Sequence, residues 1–229
     1  MAGPSWTMPF GADTFGRDLL SRVVFGARLS LQVAVLSVTL SLVAGSTLGL
    51  VAGYAGGWID QLIMRSMDVL FAFPAVLLAL GVVAALGPNP SNVVIAIAVV
   101  YTPIFARVVR GPVLAIKERE FVDAARALGA RASRIITFHV LPNLLSVLIV
   151  QTSIALSWAV LTEASLSFLG LSAQPPAPSW GAMLNEGRQN LELAPHLAIF
   201  PGLAIMLAVL GFNLLGDGLR DVLDPRFRR

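Results

Sequence analysis

Five stretches of this chain, near residues 29–53, 69–87, 91–106, 140–162 and 197–216, are apolar and carry no charged residue. A bilayer core of roughly 30 Å takes about 20 mainly apolar residues as helix, so each stretch is close to the length of one crossing. A soluble helical core would instead need a polar face at helical spacing in every segment, and 69–87 and 197–216 have none. Composition agrees: 56% of the 229 residues are hydrophobic and 13% charged, with a mean hydropathy of +0.80, well outside the range of soluble domains. An all-α integral membrane protein with about five transmembrane helices is expected. Pro103 near the end of the third stretch and Pro74 inside the second are compatible with spans, because neighbouring groups can satisfy the freed carbonyls.

Lysine and arginine collect in cytoplasmic connections. Alternating the connections places Arg65, Arg107, Arg110, Lys117, Arg119, Arg126, Arg131, Arg134, Arg220, Arg226, Arg228 and Arg229 on one side, twelve of sixteen. That side is read as cytoplasmic, with the C-terminus on it and the N-terminus outside. The first twenty residues lack a basic start followed by an apolar core, so no cleavable leader is expected. Residues 17–28 separate Leu19, Leu20, Val23, Val24 and Ala27 from the arginines, as an interfacial helix would; a charged flank opening the first span fits equally well.

Ser37, Ser41, Gly45, Gly49, Gly53 and Gly57 recur every four residues, a stripe that lets helix backbones approach closely in lipid. In the fourth span Asn143, Ser146, Ser153 and Ser157 share one helical face, either as the lining of a solute path or as hydrogen-bonding positions within and between helices. No Asp, Glu, Lys or Arg sits mid-span, which excludes a proton relay and a voltage sensor. Glu163 falls at the outer end of that span, as an interfacial group or part of a gate. The following loop, 163–196, is long enough to form a folded cap or a docking surface, with Trp180 expected at headgroup level.

Much chemistry is missing. With Lys117 the only lysine and no Gly-rich loop ending in Gly-Lys-Ser/Thr, the chain holds no ATP-cradling motif of its own. There is no cysteine, His139 and His196 stand alone, and no Gly-x-Ser-x-Gly turn occurs. No catalytic, metal-binding or cofactor-binding residue is assigned, and a nucleic-acid partner is excluded because the arginines sort by membrane side.

The stretch "KEREFVDAARALGARASR", residues 117–134, is the most highly charged of the chain. Phe121, Ala124, Ala125 and Leu128 fall on one helical face. Gly129 stands where a helix would stop, Ser133 is placed to cap a second helix, and Leu141-Pro142 puts proline in a permitted first-turn position of the next span. A rigid projection results, whose apolar face either docks on another protein or is merely solvated.

"DAARALG" followed by "LP" resembles the EAA loop of ABC importer permeases, with Asp123 in place of the glutamate and His139 where isoleucine is usual. "PFGADTFGRDLLSRVVFGARLSL", "AGYAGGWIDQLIMRSMDVLFAFPAVLLAL", "EASLSFLGLSAQPPAPSWGAML" and "FPGLAIMLAVLGFNLLGDGLRDVLDPR" are similar to the C-type permease of the dipeptide, oligopeptide and nickel branch. The resemblance covers the chain from Pro9 onward. It implies a type I ABC importer permease in a bacterial or archaeal plasma (inner) membrane. Its partners would be a second permease subunit in a heterodimer, two ABC ATPase subunits that carry ATP and Mg, an external solute-binding protein, and lipid.

The resemblance makes Asp123, Ala124, Ala125, Gly129, Leu141 and Pro142 the coupling motif to the ATPase; Phe121 and Leu128 join it from the helical face. The chain then divides into an external or interfacial segment, 1–28, and a permease domain, 29–229, with a coupling loop at 107–139 and an external loop at 163–196. Members usually have a further helix before "PFGAD", so a truncated or misassigned start, or a variant lacking that helix, is expected. A stand-alone channel or secondary carrier, or a non-transporting assembly subunit, are the competing readings.

Overall fold

The computed structural model describes residues 2–174 and 176–223; Arg226, Arg228 and Arg229 of the basic tail lie outside them. Nine α-helices and no strand occur among the described residues. Asp18 starts α1 (Leu19–Ala55) by accepting the amide of Ser21 at 2.9 Å. Gly56, at φ +66°, ends it. The helix runs without a break through residue 28, so 19–28 is not a separate interfacial helix: Leu19 and Val23 are buried within the protein.

The second apolar stretch is not one straight helix. It is split between α2 (Gly57–Phe71) and α3 (Ala75–Leu86), which meet at 93°. Pro74 occupies the N-cap of α3: its missing N–H and its ring end the preceding helix. The third stretch grows in the other direction. α4 (Pro90–Ile116) passes through Pro103 and Pro112 and continues past Arg107, because Arg107 and Arg110 find acidic partners on α2. After α5 (Glu120–Ala127), α6 (Ala132–Ile135) leads through one π-helical turn, Ile136–Val140, directly into α7 (Leu141–Phe168). α8 (Trp180–Arg188) and α9 (His196–Leu223) complete the fold.

Contacts set the directions. Gly45, Gly49 and Gly53 of α1 face Phe105, Val109 and Val113 of α4 in step, so the two helices run parallel and the α2–α3 pair must bring the chain back across. α7 runs antiparallel to α9, since Ser157 meets Asn213 while Ser153 lies under Gly216. Four helices are long and apolar enough to cross a bilayer, and the bent pair makes a fifth crossing.

The glycine stripe is a packing seam. A Cβ on Gly45 would lie 2.5 Å from the Thr102 carbonyl oxygen, and one on Gly53 2.9 Å from Val113 Cβ. Gly57 belongs to α2 rather than to this seam. The molecule keeps Ser30, Ser37 and Ser41 fully buried and leaves Val43, Leu207 and Leu214 exposed, the distribution expected where lipid is the solvent and close backbone packing replaces the hydrophobic drive.

Candidate functional site

The first end of the bundle carries residues 2–18, the α3–α4 turn and 163–195; the second carries the α1–α2 turn, residues 117–140 and the end of α9. At the second end α5 is fastened by Val122, fully buried against the core. A Schellman turn closes it: Gly129, at φ +78°, donates to the Arg126 carbonyl at 2.9 Å, and Ala130 donates to that of Ala125 at 3.0 Å. Gly129 therefore stops the helix, as its position predicts.

The face expected to be apolar is open. Phe121 is 46% and Leu128 88% exposed, Ala124 is exposed and Ala125 half-buried. With Gly129, Arg134 and His139 these residues line an open cavity of about 720 Å³. Asp123 is paired with Arg126 at 3.0 Å on the exposed flank.

One expectation needs correcting. Arg131, not Ser133, holds the N-cap of α6 and no side chain caps it; the loop is already turned by Gly129, so Ser133 falls one position inside the helix. Leu141 and Pro142 do open α7, with the proline in its first turn, but they follow on a helix already under way. The chain is helical from Ala132 onward, and the π turn just before Pro142 widens the backbone where the proline ring would meet the carbonyl of Phe138.

Near the same end α2 is tied to α4 by ion pairs that the sequence pattern did not single out. Asp60 of α2 accepts Arg110 Nε at 2.5 Å and Nη2 at 2.6 Å, and Asp68 accepts Arg107 at 2.7 Å. Their only sequence signal is that opposite charges flank the apolar stretches on the same side of the membrane.

The serine face of α7 is divided. Ser157 donates to Asn213 Oδ1 at 2.9 Å and is buried, as is Ser153, whose hydroxyl donates to the Ile149 carbonyl. Asn143 is exposed and donates to the His139 carbonyl at 2.7 Å; Ser146 is half-buried. Ser153 and Ser157 thus sit in the α7–α9 contact rather than on an open wall, because the small side chains are the ones that let α9 approach.

At the first end, loop 163–195 folds down as a cap. Trp180 is 4% exposed and its indole donates to the Val23 carbonyl at 2.9 Å, so it fastens α8 to α1 instead of reaching the headgroups. Arg22 bridges Asp13 at 2.6 Å and Glu186 at 2.8 Å. Burial works against the Asp13 charge, yet hydrogen bonds from the backbone and side chain of Arg17, the Phe15 amide and Arg22 hold its carboxyl below the usual carboxylate range. Phe10 stacks on Phe200 with centroids 3.9 Å apart. Glu163 is fully buried and accepts from Ser172 at 3.3 Å.

A bent-pair helix bundle with a short helical projection at one end and a folded cap at the other is the setting for the comparisons. Residues 45–229 match the family described as binding-protein-dependent transport system inner membrane component. The chain belongs to this family. It is 53% identical over 228 residues to the dipeptide transport system permease protein DppC of Alkalihalophilus pseudofirmus, covering 100% of this chain and 75% of that protein. It is 52% identical over 226 residues to the glutathione transport system permease protein GsiD of Pectobacterium atrosepticum, covering 99% and 75%.

Among solved structures, a chain of the inward-facing MetNI methionine ABC transporter superposes with a TM-score of 0.74 at 18% identity, over 90% of this chain and 97% of that one. A chain of an amino acid ABC transporter superposes with a TM-score of 0.68 at 16% identity, over 89% and 95%. These two establish the fold, that of a type I ABC importer permease. As an inner-membrane transport component, the protein is a permease subunit of an ATP-driven importer and not itself a catalytic chain.

Proposed function

We propose that this permease carries small peptides, dipeptides or tripeptides of the glutathione kind, into the cell. It does so as one half of a path completed by a second permease subunit, with two cytoplasmic ATPase subunits supplying ATP hydrolysis and an external binding protein delivering the solute. The identity to dipeptide and glutathione permeases over the whole chain supports the peptide class over nickel. The second end is cytoplasmic in this reading: nine described basic residues lie there, against Arg17, Arg22, Arg28 and Arg188 at the first.

The observation that carries the coupling role is the division of labour in α5. Val122 anchors the helix, while Ala124 and Leu128 face outward and Phe121, tilted against the His139 ring, stays 46% exposed. Exposed apolar side chains on a cytoplasmic projection are accounted for by an ATPase groove that covers them. Asp123, Ala125 and Gly129 shape that face, and Leu141 and Pro142 join it rigidly to α7, so a displacement of the projection moves the helix. Leu128→Asp tests this in the assembled importer: the variant inserts and melts as the wild type does, but ATPase subunits dissociate from it and dialanine uptake is lost. Unchanged uptake would refute the docking role.

A further inference from the structure

One face of α7 is open along most of the helix. Val147, Gln151, Ile154, Trp158, Leu161 and Ser165 are all exposed or half-buried, and their alternating four- and three-residue spacing keeps them in a single stripe along the helix. On the helical wheel the stripe lies between Ser157, which meets Asn213 of α9, and Thr162, which meets Tyr101 of α4. Gln151 stands at mid-span. Its amide makes no hydrogen bond with another described residue, while the neighbouring hydroxyls of Thr152, Ser153 and Ser157 all reach carbonyls. Trp158, two turns nearer the first end, is 59% exposed.

Lipid does not suit this stripe, since an unpaired amide in hydrocarbon loses the hydrogen bonds that water gave it. A closely packed helix does not suit it either. In this chain's closest helix contacts one partner supplies small residues, Gly45, Gly49 and Gly53 of α1 facing Phe105, Val109 and Val113 of α4, and Ser153 lies under Gly216. The open stripe carries Val, Ile, Trp and Leu beside Gln151, with Ser165 at its end as its one small residue.

We propose that the stripe is a wall of the solute path, with Gln151 and Trp158 contacting the backbone of the passing peptide. This rests on the peptide-importer reading. A primary amide both donates and accepts, so it pairs with a peptide C=O or N–H whatever the side chains are. The indole adds one donor and a broad apolar face, and Val147, Ile154 and Leu161 line the wall without selecting a particular residue.

The chain has no cysteine, so introduced thiols report without background from it. Gln151→Cys, Trp158→Cys and two controls, buried Ala155→Cys and outward-facing Leu207→Cys, are placed in the full importer in proteoliposomes. Each is treated with a charged methanethiosulfonate reagent, which needs a thiolate and therefore water. Gln151→Cys and Trp158→Cys react at least tenfold faster than the controls, and dialanine with its binding protein slows them. Gln151→Leu raises the KM for dialanine several-fold, and Gln151→Asn restores most of the affinity.

Labelling no faster than in the controls, cross-linking of Gln151→Cys to a partner helix without labelling, or an unchanged KM in Gln151→Leu would each overturn the proposal. If the wild-type complex takes up neither dialanine nor glutathione, the peptide reading is what fails, and the labelling still decides whether the stripe is a wall.

Discussion

Replacing Gly129 with alanine isolates the coupling turn from the rest of the fold. Gly129 sits at φ +78°, and a Cβ built there meets nothing within 4 Å. The methyl group therefore clashes with no neighbour, and the penalty is that of a left-handed backbone for an L residue, about 1–2 kcal/mol. At about 1.4 kcal/mol per factor of ten, the turn that closes α5 becomes roughly 5- to 30-fold less populated. Asparagine visits this region more readily, so Gly129→Asn stays closer to the wild type. In proteoliposomes holding the complete importer, dialanine taken up per ATP hydrolysed falls several-fold in Gly129→Ala and less in Gly129→Asn. The melting midpoint of the solubilised chain does not move, because the turn is exposed. Equal losses in the two variants, or a melting loss that tracks the transport loss, would refute a role confined to this turn.

A glycine in the α1–α4 seam and one on the open surface of α3 respond differently to alanine. Gly49→Ala drives a methyl into the Ala106 carbonyl and Val109, an overpacking worth about 1–3 kcal/mol, and lowers the melting midpoint; Gly81→Ala, with nothing within 4 Å, is neutral or gains up to about 1 kcal/mol of helix propensity. Asp60→Arg loses uptake by freeing α2 from α4, and the exchanged pair Asp60→Arg with Arg110→Asp recovers part of it, measured as dialanine transport. Asp13 has a folded pKa below its ordinary 3.8, so its contribution is complete above that value and disappears as pH falls through the lower folded pKa. The melting gap between wild type and Asp13→Asn is therefore constant from pH 7 to about 5 and closes below about 4.

Several elements were legible before any coordinates because their causes are local. Stretches without charge and of bilayer length name the spans, glycines at every fourth position name a seam, and Gly129 after an amphipathic helix names a stop. Pro74 and Pro142 were visible too, but not their effects. One breaks α2 from α3, and the other is absorbed by a π turn, because the outcome depends on what packs beside each ring. Trp180 read as an interfacial anchor since nothing in its neighbourhood of sequence announces that the Val23 carbonyl lies beneath it.

What the sequence determined by itself is the class of molecule: a chain this apolar, with its basic residues sorted to alternate connections, must cross a membrane and carry one charged projection at one end of its bundle. What only the tertiary structure decided is which polar face of α7 is free. Ser153 and Ser157 share a helical face as plainly as Gln151 and Trp158 do. The approach of α9 closes the first pair and leaves the second open, and helical periodicity repeats along one helix without recording the position of its neighbour.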